Sequence, residues 1–237
     1  MQNLSNITSI ILAGGFGARL RTVVSDRPKV LAEVQGRPFL RYLLDQLSAA
    51  GVNDVVLCTG YLGDQVRAAF GSSYGGLQLS YSHETSPLGT AGAVRKALPL
   101  MKSDSALVMN GDSYCSSNLK EFYAYHYATK AQASLLLTWV ADTSRYGRVQ
   151  VDDDGFVLAF EEKSNHREPG WINAGIYLLN RRLIRAIQPN AAVSIERDVF
   201  PVWVGCGLRA YRSQGCFLDI GTPESYAAGE RFFLNIL

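Results

Sequence analysis

The stretch Ile7-Thr8-Ser9-Ile10-Ile11-Leu12-Ala13-Gly14-Gly15-Phe16-Gly17-Ala18-Arg19-Leu20 decides the fold. Its first half, Ile7 to Ala13, is apolar and β-branched, the composition of a strand buried in a parallel sheet. It runs into three glycines in four positions, then into residues that can open a helix. Glycines there let a ligand approach the backbone and leave N–H groups free to face an anion. Arg19 adds a guanidinium fork, and Pro28-Lys29 supplies a second cation after a rigid turn. The simplest reading is a cradle for phosphates. It is not a Walker loop, because no Gly-Lys-Ser/Thr follows, and Leu20 stands where a dinucleotide fingerprint has its third glycine.

Working outward, the chain alternates strand and helix. Phe39, Leu40, Leu43, Leu44 and Leu47 recur at helical spacing before Gly51 stops the helix. Val55 to Thr59 reads as a second buried strand, Leu62 to Phe70 as a helix and Leu77 to His83 as a strand. Ala91 to Leu98 follows as a short helix, then Ala106 to Met109 as a third buried strand. This order predicts a Rossmann-like α/β fold, a mostly parallel mixed sheet flanked by helices. From Tyr146 the texture turns to hairpins, then the strand Trp171 to Leu179. The acidic run Asp152-Asp153-Asp154-Gly155 sits between two short strands, where Asp-Gly is turn chemistry rather than a metal motif. At 237 residues one domain over 1–237 is expected, with a nucleotide-binding part to about residue 140, a hairpin-rich part beyond it and no further domain.

Composition narrows the function. Hydrophobic residues make 47% and charged residues 19%, and the net charge is +2, so neither nucleic acid nor a membrane is expected as a partner. No apolar run approaches the roughly 18 residues of a membrane span. Met1 to Thr8 carries no leader pattern, which points to a cytoplasmic protein. Cys58, Cys115, Cys206 and Cys216 form no CxxC pair and read as reduced thiols. His83, His126 and His166 are too scattered for zinc.

Two acids stand out. Asp112 follows the strand ending at Met109 and Asn110-Gly111, and Asp219 follows the strand Cys216 to Leu218. If those strands are neighbours, both acids meet at the carboxyl edge of the sheet, where open α/β folds bind ligands. Such a pair suits Mg²⁺, which takes one or two carboxylates and completes its shell with phosphate oxygens and water. Lys29, Lys163 and Arg19 would complete an anion pocket. No serine or cysteine has a matched base, so the site is built for charge stabilisation and positioning, as phosphoryl or nucleotidyl transfer requires.

Taken together, Leu12-Ala13-Gly14-Gly15-Phe16-Gly17-Ala18-Arg19-Leu20, Pro28-Lys29, Pro87-Leu88-Gly89-Thr90-Ala91-Gly92, Gly111-Asp112, Phe160-Glu161-Glu162-Lys163, Asn173-Ala174-Gly175-Ile176-Tyr177 and Asp219-Ile220-Gly221-Thr222-Pro223 resemble the sugar-1-phosphate nucleotidyltransferases. The motifs appear in that family's order over nearly the whole chain. Within it the chain is most similar to the D-glycero-D-manno-heptose-1-phosphate guanylyltransferases. The resemblance implies a GT-A-like nucleotidyltransferase fold and transfer of a nucleoside monophosphate from an NTP, GTP favoured, to a sugar 1-phosphate, with release of pyrophosphate. It implies that Leu12, Ala13, Gly14, Gly15, Gly17, Arg19, Lys29, Glu84, Gly89, Thr90, Asn110 and Gly111 hold the nucleotide. Gly147, Glu162, Lys163, Asn173 and Ala174 would hold the sugar phosphate, and Asp112 and Asp219 the Mg²⁺. Arg19, Lys29, Asp112 and Asp219 would carry the catalysis. The product would feed lipopolysaccharide, capsule or S-layer glycan synthesis, and a homo-oligomer is allowed.

Mannose 1-phosphate, or another base from UTP, dTTP or CTP, is the alternative within the family. A non-catalytic nucleotide-sugar sensor would be free to lose the metal acids or a phosphate lysine, and Asp112, Asp219, Lys29 and Lys163 are all present. A glycosyltransferase would want an Asp-x-Asp metal motif, and the nearest match is the hairpin turn at 152–154.

Overall fold

The computed structural model describes residues 4–161 and 167–236. In chain order the strands and helices are β1 (Thr8–Ala13), β2 (Glu33–Val34), β3 (Arg37–Pro38), α1 (Phe39–Ala50), β4 (Asp54–Thr59), α2 (Gly63–Phe70) and β5 (Ser73–Tyr74). Then come β6 (Leu77–His83), α3 (Gly89–Ala97), β7 (Ser105–Asn110), β8 (Ser113–Cys115), α4 (Leu119–Ala128), β9 (Ala133–Val140), β10 (Val149–Val151) and β11 (Val157–Phe160). The remainder is β12 (Gly170–Asn180), α5 (Arg181–Ala186), α6 (Phe200–Trp203), β13 (Leu208–Ser213), β14 (Phe217–Asp219) and α7 (Pro223–Ile236).

The central sheet has eight strands in the order β13-β9-β12-β7-β1-β4-β6-β5. β1, β4, β6 and β7 run parallel, and β12 is inserted antiparallel between β7 and β9. The mixed sheet is therefore the expected one. From β1 the chain moves outward to β4 and β6, then returns to place β7 on the other side of β1. That reversal opens a crevice at the carboxyl ends of β1 and β7, where open sheets bind ligands. The glycine loop and Asn110-Gly111-Asp112 leave the sheet on its two sides.

Apolar side chains cover both faces. One face packs Leu43, Leu44 and Leu47 of α1 and Phe233 of α7 against β1, β4 and β7; the other packs α3 and α5 with Tyr177 and Phe200. Tyr42 and Phe233 stack with ring centroids 3.7 Å apart. Phe233 is 1% exposed, so Phe233→Ala should cost about 3–5 kcal/mol. That contact also fixes the helix that begins four residues after Asp219.

Several elements differ in detail from the sequence reading. The sequence of Val30 to Val34 reads as a short extended run, but only Glu33–Val34 is a strand; Lys29–Leu31 forms a 3₁₀ turn because the Leu31 and Ala32 N–H groups fold back on the Pro28 and Lys29 carbonyls. Asp219 closes β14 rather than following it. β14 pairs not with the strand before Asp112 but with β8, the short strand after it. The acidic 152–154 run is a turn as expected: the Gly155 N–H bonds Asp152 O at 3.2 Å, and the Phe156 N–H bonds Asp152 Oδ1 at 2.7 Å. Among the described residues no helix is long and apolar enough to cross a membrane.

Candidate active site

The crevice holds a cleft of about 610 Å³. Leu12, Ala13, Gly14, Gly15, Lys29, Glu84, Gly89, Thr90, Asn110, Gly111 and Asp112 are among the residues that line it. Gly17 and Arg19 do not line it. Gly17 (φ +63) turns the loop behind Lys29, 3.3 Å from the Lys29 Cβ to where its own Cβ would lie. Arg19 lies on the other flank, its Nη2 and the Lys29 Nζ both 3.6 Å from the Cβ position of Gly221. Arg19 thus faces the Asp219 side of the crevice rather than the cleft.

Each close approach has a local cause. A Cβ on Gly14 would fall 2.7 Å from Glu84 Oε1, and one on Gly111 would collide with the Leu12 carbonyl. The Gly111 N–H donates to that same carbonyl at 3.0 Å, which stitches the ends of β1 and β7 together. Gly15 is different: a Cβ there meets no protein atom within 4 Å. Its missing side chain leaves room for a ligand, not for the protein.

Glu84 is a half-buried residue lining the cleft beside Gly14 and Gly60. Its Oε2 accepts the Leu88 N–H at 3.2 Å. Burial raises its carboxyl above the ordinary range, against the lowering effects of that N–H, Lys96 and His83. Phe16, 52% exposed, and Tyr61 form an aromatic lip with rings 4.8 Å apart, and the Arg21 guanidinium sits 4.4 Å from the Phe16 centroid. Both rings line the cleft.

Lys29 is a nearly buried cation of the crevice, and its Nζ pairs with Asp112 Oδ2 at 2.7 Å. The two acids are joined through backbone. Ser113 is the ladder partner of Asp219, and the Asp112 carbonyl accepts the Ile220 N–H at 2.8 Å. Asp219 Oδ1 accepts the Gly221 N–H at 2.8 Å and Ser225 Oγ at 3.2 Å, and Oδ2 accepts the Tyr146 hydroxyl. Arg145 Nη2 reaches both oxygens, at 3.1 and 3.0 Å. Burial pushes the Asp219 carboxyl up, but the hydrogen bonds from Tyr146, Gly221 and Ser225 and the Arg145 charge outweigh it and hold it below the usual range. The Tyr146 hydroxyl is raised, first by burial and then by its bond to Asp219.

Among the described residues no cluster of three or more His, Cys, Asp or Glu could hold a metal ion by itself. Two carboxylates joined through the β8–β14 backbone, one of them lining the cleft, nevertheless fit a hard cation that draws its remaining oxygens from substrate and water.

Of the residues expected at the sugar phosphate, Gly147 packs just beyond β11: a Cβ on it would fall 2.6 Å from the Glu161 carbonyl. Asn173 Oδ1 accepts the Gly175 N–H at 2.9 Å and its Nδ2 donates to the Tyr177 hydroxyl at 2.9 Å, leaving one N–H and one lone pair. Ala174 is 1% exposed, with its methyl in the core, so its side chain does not face a sugar. The reason is the irregularity in β12, whose register shifts between Asn173 and Tyr177 as Gly175 adopts φ +75. Glu162 and Lys163 lie outside the described residues. Arg145, Tyr146 and Glu196 escaped the sequence reading. Glu196 accepts the Tyr177 hydroxyl at 3.0 Å and the Thr90 hydroxyl at 2.8 Å, tying the cleft to β12.

Comparison with known proteins agrees with this geometry. A model of the nucleotidyl transferase family matches residues 8–235. The D-glycero-alpha-D-manno-heptose 1-phosphate guanylyltransferase of Aneurinibacillus thermoaerophilus is 35% identical, the match covering 94% of this chain and 96% of that protein. The mannose-1-phosphate guanylyltransferase of Mycobacterium tuberculosis is also 35% identical, over 94% of this chain but 63% of its own length. Among solved structures, HddC from Yersinia pseudotuberculosis complexed with GMP-PN superposes with a TM-score of 0.85 at 31% identity, covering 96% of this chain and 99% of that one.

Proposed function

The chain belongs to the nucleotidyl transferase family, and we propose that it is a guanylyltransferase acting on D-glycero-D-manno-heptose 1-phosphate. An oxygen of the sugar phosphate attacks the α-phosphorus of GTP; the new P–O bond forms as the bond to the β-phosphate oxygen breaks, and pyrophosphate leaves. The observation that carries this reading is the single cleft in which the glycine loop, Glu84, Lys29 and Asp112 converge. The names of the heptose relative and of HddC with GMP-PN support the sugar and the base.

Glu84 gives the base preference a physical basis. Guanine offers two adjacent donors, N1–H and the 2-amino group, to a carboxylate. Uracil and thymine offer one N–H flanked by carbonyl oxygens that a carboxylate repels. Lys29 neutralises charge at the reacting phosphate, and Arg19 backs it from the Asp219 flank. Asp112 and Asp219 would hold Mg²⁺, which when bound would neutralise phosphate charge at the centre of reaction. Lys163 and Glu162 are assigned to the sugar phosphate and sugar, beside Gly147 and Asn173.

The test is a grid of five NTPs against a panel of sugar 1-phosphates, read as pyrophosphate. GTP with the heptose 1-phosphate should be the fastest pair. No pyrophosphate from any pair would return the chain to a sensor. Mannose 1-phosphate is the second reading, favoured by the equal 35% identity of the mycobacterial enzyme.

A further inference from the structure

We infer that Arg145 is an exchangeable counter-ion: it holds Asp219 in the substrate-free protein and passes to the phosphate of the incoming sugar when Asp219 takes up a divalent cation. The inference rests on reading Asp219 as a metal-holding acid.

A carboxylate has about four acceptor positions, and those of Asp219 are full. Gly221 N–H, the Ser225 and Tyr146 hydroxyls and the two contacts of Arg145 occupy them. A cation can reach Asp219 only if a donor withdraws. Three of these donors are fixed. The Gly221 N–H belongs to the turn closing β14, Ser225 is bonded to Thr222 at the start of α7, and Tyr146 packs its ring against Phe217 at 5.6 Å. Arg145 is the least enclosed of the four: its guanidinium lies 5.4 Å from the Tyr146 ring centroid, and its charge also acts on Asp142 and Glu224. Its side chain is 44% exposed, against 15% for Asp219, and among the described residues no other acceptor is recorded for its guanidinium.

The other ion pair behaves differently. Lys29 is 11% exposed and enclosed between Gly17 and Gly221, so it has far less room to withdraw than Arg145. Arg145 lies two residues before Gly147, which is pressed against the Glu161 carbonyl, so its loop borders the strand that leads to Glu162 and Lys163. A guanidinium released there would be free to take a sugar phosphate held near Gly147, a dianion its fork matches with two parallel hydrogen bonds. The exchange keeps charge balanced: Asp219 gives up one cation as it gains another, and no unpaired charge is left in the crevice.

The experiment titrates Mn²⁺ into the nucleotide-free protein, followed by electron paramagnetic resonance, and measures KM for both substrates. Arg145→Gln should bind Mn²⁺ about fivefold more tightly than wild type, the scale of a half-exposed ion pair. Its KM for the sugar 1-phosphate should rise about tenfold with KM for GTP nearly unchanged, the scale of one charged hydrogen bond. Arg145→Lys, which keeps the charge, should bring Mn²⁺ affinity back to the wild-type value. Equal or absent Mn²⁺ binding in wild type and Arg145→Gln overturns the role of Arg145 while leaving the guanylyltransferase reading to its own grid. A gain that persists when Asp219→Asn is added puts the cation elsewhere and overturns both the exchange and the metal assignment.

Discussion

Lys29 Nζ lies 2.7 Å from Asp112 Oδ2, and the exposures of the two side chains are unequal, 11% for the lysine and 45% for the acid. The two partners therefore fail differently. Lys29→Met leaves a carboxylate that water can solvate, so stability should hardly move while kcat falls about 10- to 100-fold with the loss of a charged hydrogen bond at the α-phosphate. Asp112→Asn leaves an enclosed ammonium without its anion, which should cost about 1–3 kcal/mol. Its kcat should fall on the order of 10²-fold. Thermal melts beside initial rates check both; equal melts for the two variants would remove the asymmetry.

Gly14 and Gly15 are adjacent but glycine for different reasons. Gly15→Val should fold like wild type, because a Cβ there meets nothing within 4 Å, yet lose GTP binding in calorimetry. Gly14→Ala should keep some binding but shift the Glu84 carboxylate, 2.7 Å away, and so narrow the preference for GTP over UTP. Wild-type GTP affinity in Gly15→Val would contradict the cradle.

These glycines show what a linear reading can and cannot reach. The strand over 8–13, the loop after it and the acids at 112 and 219 announce themselves, because buried strands and turns leave local patterns of β-branched residues, glycine and aspartate. Arg145 and Tyr146 leave none, since their role is a contact with Asp219 across 74 and 73 residues. The nearest local signal is Gly147, which follows them directly in the chain. The pairing of β8 with β14 was hidden for another reason. Three-residue strands carry too few positions to show a period, and only the fold brings Ser113 opposite Asp219. The register shift in β12, beside which the Ala174 methyl lies in the core, is likewise invisible in the linear pattern.

His126 supplies a pH dependence outside the site. Its ring is 2% exposed, bonded to Ser134 Oγ at 2.8 Å, and burial lowers its pKa to about 4 from 6.5. The unfolded chain thus binds a proton that the folded one refuses. The resulting stability is fully present above pH 6.5 and is lost as pH falls towards 4. The loss should reach up to about 3 kcal/mol at the lower end. Urea unfolding at pH 7 and pH 5 checks it, with His126→Gln, which keeps a partner for Ser134, showing a flatter profile.

Glu84 separates base recognition from catalysis. Its carboxylate is held in the cleft by the Leu88 N–H at 3.2 Å and by close packing on Gly14 and Gly60. On the proposed assignment guanine would give that carboxylate two donors, in bonds formed in the ground state and kept through transfer. Glu84→Gln replaces one acceptor by an N–H that faces a donor, so a hydrogen bond is lost and a polar group is left unpaired. KM for GTP should therefore rise about 10- to 100-fold with kcat little changed, while UTP, which the carboxylate repels, gains or holds. Stability provides an independent control. Burial raises the Glu84 carboxyl, so at neutral pH the ionised side chain opposes folding, and this cost is present above the ordinary glutamate range and relieved as pH falls through it. Glu84→Gln should then be at least as stable as wild type at pH 7 by urea unfolding. A variant as stable as wild type whose kcat/KM ratio for GTP over UTP is unchanged would remove Glu84 from the base and leave the guanine preference without a residue.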